Sequence, residues 1–91
     1  MQKAIYVNVH AFAEAVQVLL VQLKTHHATV IARMNEQEYD AWSKMLKDIH
    51  VNLRQSFLDL PSELHSDHPD VCSVAYAMAD IAQMSNECKA S

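Results

Sequence analysis

The run HSDHPDVC, residues 65–72, gathers His65, Asp67, His68, Asp70 and Cys72 within eight positions. Imidazole, carboxylate and thiolate are the donors that zinc and related divalent ions take, so a turn that converged three of them would bind metal. The candidate ligands are His65, Asp67, His68 and Cys72. Their spacing follows none of the usual zinc patterns, and the same residues have a simpler use. Asp67 or His68 can cap a helix that carries Pro69 in its first turn, where a missing N–H costs nothing. Capping is the preferred reading and a metal-responsive protein the alternative; otherwise no cofactor is expected.

The remaining reactive residues are less suggestive. His26 and His27 are adjacent. On a helix they diverge by about 100° and do not chelate one ion together. His10 and Glu14 stand four apart, within reach of each other as a surface pair. Six histidines in so short a chain should make some property respond to pH near neutrality. Ser43, Ser56 and Ser73 have no turn motif around them, and the chain contains no glycine from which to build a tight oxyanion turn. No nucleophile, base and orienting acid can be assembled from the pattern, so an enzyme is not expected.

The elements that carry these residues follow from composition and periodicity. Ninety-one residues without glycine, with two prolines and many strong helix formers, fit one all-α domain. From Val9 to Lys24 the chain is mostly apolar, and its polar residues His10, Glu14, Gln17 and Lys24 recur on one narrow stripe. Val9, Phe12, Val16, Leu19, Leu23, His26 and Val30 form a three-four seam that defines a first helix, residues 9–26. Thr25 to Thr29 are weak helix formers, so this helix either ends there or bends on towards Met34. A strand over 29–34, pairing with 4–9 in an α+β fold, is the competing arrangement. Residues 1–8 read as an extended N-terminal arm capped off by Asn8.

Asn35 followed by Glu38 is a capping-box-like start for a second helix, residues 36–60, which Pro61 stops. Its seam is Tyr39, Trp42, Leu46, Ile49, Leu53 and Leu60. A third helix, residues 69–86, presents Val71, Val74, Ala75, Met78, Ile81 and Ala82, and residues 87–91 read as a frayed tail. Cys72, Tyr76 and Met84 lie at multiples of four and offer a second strip on that helix.

These features bound the function. A net charge of −4 argues against a nucleic-acid binder, which needs a basic surface. Cys72 and Cys88 lie sixteen residues apart on one helix, about 24 Å along its axis, and cannot bridge each other there. With no signal-peptide pattern and no membrane span, a cytoplasmic protein is expected. The apolar arc of the first helix exceeds what one neighbouring helix covers, and surplus apolar surface marks interfaces. The expected function is therefore a small interaction module, an adaptor or inhibitor that binds a larger protein, of the kind phages and mobile elements direct at host defence or nucleases. Homodimerisation is expected as well. Phe12, Leu19, Leu20 and Tyr76 are the candidate protein-binding residues.

Overall fold

The computed structural model describes residues 2–60 and 67–89, with side chains over 9–60 and 67–88. Three helices account for nearly all of it: α1 (Gln2–Arg33), α2 (Glu36–Leu58) and α3 (Pro69–Lys89), with no strand among the described residues. They pack as an up-down-up bundle measuring 49 × 18 × 17 Å. α2 returns antiparallel to α1, and α3 runs parallel to α1. The all-α reading of the sequence is correct and the α+β alternative is not.

Four boundaries differ from expectation: both ends of α1, the end of α2, which stops at Leu58 and not at residue 60, and the end of α3. Residues 2–8 are not an extended arm; their backbone is the opening two turns of α1. Nor does α1 stop at residue 26, because it continues unbroken to Arg33. The two threonines that argued for a stop are accommodated by local bonds. Thr25 Oγ1 donates to the Val21 carbonyl at 2.9 Å, and Thr29 Oγ1 donates to the Thr25 carbonyl at 3.3 Å. Burial of His27 and Val30 holds this last stretch against the bundle. Tertiary contact outweighs the few tenths of a kcal/mol per residue that propensity takes away.

The turn into α2 is made without glycine. Met34 takes the left-handed conformation, φ 53°, and Asn35 Oδ1 accepts the Glu38 N–H at 3.2 Å as the N-cap. Glu38 does not complete a reciprocal capping box, since its carboxylate turns to Arg33 at 3.3 Å. A Cβ in the left-handed region costs about 1 kcal/mol, and Met34 is 80% exposed, so its side chain repays little of this by packing. Met34→Gly should stabilise the protein by about 0.5–1 kcal/mol, read as a higher urea midpoint at unchanged m-value.

At α3 the sequence reading of the cap is correct. The His68 carbonyl accepts the Cys72 N–H at 3.0 Å, and His68 Nδ1 accepts the Asp70 N–H at 3.2 Å. The expected fray at 87–89 does not occur. α3 continues to Lys89, because Cys88 is buried and Glu87 is bonded to α1.

The core is continuous through all three helices, with Leu46, Val74 and Ile81 fully enclosed. On α1 its register departs from the expected seam. Val9, Val16, Leu23 and Val30 are buried as predicted, but the alternate positions are Ala13, Leu20 and His27 in place of Phe12, Leu19 and His26. α3 is the cause, because it lies on the flank of α1 that carries residues 13, 20 and 27. Phe12 and Leu19 are left half-buried at the edge of the core, and His26 is exposed. On α3 the core face also takes in Ala77, Met84 and Cys88, so Met84 belongs to no second strip with Tyr76. α2 and α3 approach closely where Ser43 and Ser85 meet; each hydroxyl donates to the other residue's carbonyl, at 3.2 and 3.3 Å.

Candidate protein-binding surface

The polar stripe of α1 is more than a solvent face. His10, Gln17 and Lys24 meet polar partners on α3 while Glu14 pairs with His10, and the result is a partly exposed ladder along the α1–α3 seam. Gln17 Nε2 donates to Ser73 Oγ at 2.6 Å and to the Ser73 carbonyl at 3.2 Å. One heptad on, Lys24 Nζ pairs with Asp80 at 3.3 Å. At the bottom, His10 sits between two carboxylates, with Nδ1 at 3.2 Å from Asp70 and Nε2 at 2.9 Å from Glu14.

Asp70, by hydrogen bond and charge, and then Glu14 hold the His10 imidazolium, so its pKa lies above the ordinary 6.5. The stability this contributes is fully present below pH 6.5 and is lost as pH rises through the raised value. In an NMR titration the His10 ring protons should turn over above pH 6.5, and Asp70→Asn should bring the midpoint back towards it. A midpoint unmoved by Asp70→Asn would show that the pair does not form in solution.

At the hairpin end, His27 joins all three helices. The Trp42 indole N–H donates to His27 Nδ1 at 2.9 Å, and an indole nitrogen can only donate. The His27 proton therefore sits on Nε2, which donates to Glu87 at 2.8 Å. A carboxylate orienting an imidazole is the back half of a catalytic triad, but the other nitrogen here is taken by an indole that supplies no nucleophile. The group holds α1, α2 and α3 in register. His26, exposed beside it, meets the Trp42 ring edge-on at 4.7 Å.

Of the proposed metal ligands, the three that are described, Asp67, His68 and Cys72, are not arranged to hold an ion together. His65 lies outside the described residues. Asp67 is exposed, His68 spends Nδ1 on the helix cap, and Cys72 is half-buried on α3. Among the described residues no group of three or more His, Cys, Asp or Glu is arranged to hold a metal ion. Neither Cys72 nor Cys88 is in a disulfide, and burial, followed by the neighbouring Glu87 charge, pushes the Cys88 thiol above its ordinary value.

Of the predicted protein-binding residues, Leu20 is in the core, Phe12 and Leu19 are half-buried on the α2 side of α1, and Tyr76 is 74% exposed. The structure adds Val18 and Val21 on α1, which are 60% and 63% exposed. Val21 falls between Gln17 and Lys24, and Tyr76 between Ser73 and Asp80, so both come midway between the same two rungs of the ladder. Sequence reasoning placed the surplus of the apolar arc at Phe12, Leu19 and Leu20 and so missed Val21, because periodicity does not tell which flank of α1 a third helix covers. The stripe alone does not single it out, since Leu20 and Val21 both stand three or four residues from Gln17 and Lys24 and only Leu20 is buried. Among the described residues no helix is long and apolar enough to cross a membrane. Comparison with protein families, with curated proteins and with solved structures finds no match for this chain.

Proposed function

We propose that the protein acts by binding a larger protein, as an adaptor or inhibitor, and not by catalysis. The observation that supports this is the strip over the α1–α3 seam, where Val18, Val21 and Tyr76 stand exposed around the Gln17–Ser73 and Lys24–Asp80 rungs. Large apolar side chains grouped on rigid helices, with bonded polar groups between them, are the pattern of an interface core with its rim. Covering Val21 and Tyr76 releases water from them, and the Gln17–Ser73 rung between them is already hydrogen-bonded. Two cysteines without a disulfide suit a reducing compartment, and a cytoplasmic location is part of this proposal.

A photo-crosslinking residue at position 76, expressed in the cells the protein comes from, tests this. One adduct heavier than two copies of the chain is the expected product, with none from the same group at Asp40 on the outer face of α2. Absence of any heavier adduct from position 76 overturns the reading.

A further inference from the structure

The three helix pairs are not equally closed. α3 packs closely on both α1 and α2, whereas α1 and α2 meet far less closely with each other. The α1–α2 bonds made by Trp42, Tyr39 and Arg33 all fall at the hairpin end. Further along, the two helices flank an open side whose walls are Phe12 and Leu19 from α1 and Ile49 from α2, all half-buried against the core. Nearer the hairpin end, Met45, 53% exposed, lines a groove of about 220 Å³ together with His26, Val30, Trp42 and the paired Arg33 and Glu38.

Beyond the Arg33–Glu38 pair at the hairpin end, this side carries no charge along its centre. Residues 15–23 of α1, AVQVLLVQL, contain none, and the steps 41, 45, 49, 52 and 56 on the facing edge of α2 read Ala, Met, Ile, Asn and Ser. The charges α1 does carry nearby are committed elsewhere: Glu14 to His10, and Lys24 to Asp80.

We propose that the open α1–α2 side is the interface of a twofold dimer, each copy covering the other. The first argument is charge. A twofold axis sets the same residues of both copies against one another, so a charged patch would repel itself, whereas a neutral apolar side in a chain of net charge −4 can close on its own copy. The second is area. A compact monomer of 10.3 kDa exposes roughly 5,350 Å². This chain exposes 6331 Å². The surplus, about 1,000 Å², is spread along the whole rod, and a standard interface removes about 800 Å² from each partner. A rod 49 Å long exposes more than a sphere does, and pairing two rods along their length recovers that area. Laid side by side, α1 and α2 of two copies make a four-helix layer with α3 of each outside.

Sedimentation equilibrium from low to high micromolar chain decides the matter. The parent protein should have twice the monomer mass, and Gln22→Glu with Met45→Glu, both at exposed positions, should return it to the monomer mass with unchanged helical circular dichroism. Val51→Glu, on the far face of α2, should remain a dimer. A parent protein that is monomeric throughout overturns the inference, as does a dimer that survives the Gln22/Met45 pair. Neither result touches the larger-partner reading, because the crosslink from Tyr76 reports on the α1–α3 strip and not on this side.

Discussion

Leu20→Glu should abolish cooperative folding, while Val21→Glu, one residue further on, should leave stability within about 0.5 kcal/mol of the parent. Leu20 lies inside the core with Leu23, Leu46 and Ile81. The substitution forfeits its burial, about 2–3 kcal/mol, and sets a carboxylate where no partner stands, which costs several kcal/mol more or forces it to protonate. A domain of this size has roughly 5–14 kcal/mol of stability in total, so the sum leaves little or nothing. Val21 points away from the core and its replacement is solvated. Urea titrations followed by circular dichroism check both. A Leu20→Glu midpoint near the parent's would place Leu20 outside the core and undo the register of α1 described above.

Trp42→Ala should cost about 3–5 kcal/mol, the second-largest effect. Part is the lost packing of a buried indole, 6% exposed, and part is the bond it gives to His27. Trp42→Phe separates the two. It keeps most of the apolar volume but leaves His27 Nδ1 facing a ring edge without a donor, which should cost about 1–3 kcal/mol. His27→Leu in the same background removes the orphaned acceptor, so the double substitution should be less damaging than the sum of the singles by about 1 kcal/mol or more. Strict additivity would mean that the Trp42–His27 bond contributes nothing to holding the three helices together.

The helical class, the number of helices and the start of α2 were legible in the chain before any packing was considered. Absence of glycine, the Asn35–Glu38 spacing and the two prolines act locally, through backbone freedom and caps, and local effects need no tertiary partner. The stripe His10, Gln17 and Lys24 was legible too, but its meaning was not. Taken alone it looks like a solvent face; the structure makes it a seam because α3 brings Ser73 and Asp80 at the same heptad interval and Asp70 to its lower end.

The choice between neighbouring residues belonged wholly to the tertiary structure. Phe12 and Leu19 are at least as apolar as Ala13 and Leu20, and His26 is chemically identical to His27. Periodicity fixes a stripe only to within the 100° step between adjacent residues, so the pattern admits either set. The flank on which α3 docks selects 13, 20 and 27 for the core. That docking also carries Glu87 to His27, leaves His26 in solvent, and turns Leu19 towards the open α1–α2 side. Which side of α1 is buried is a property of the whole bundle, because burial is decided by what the other two helices cover.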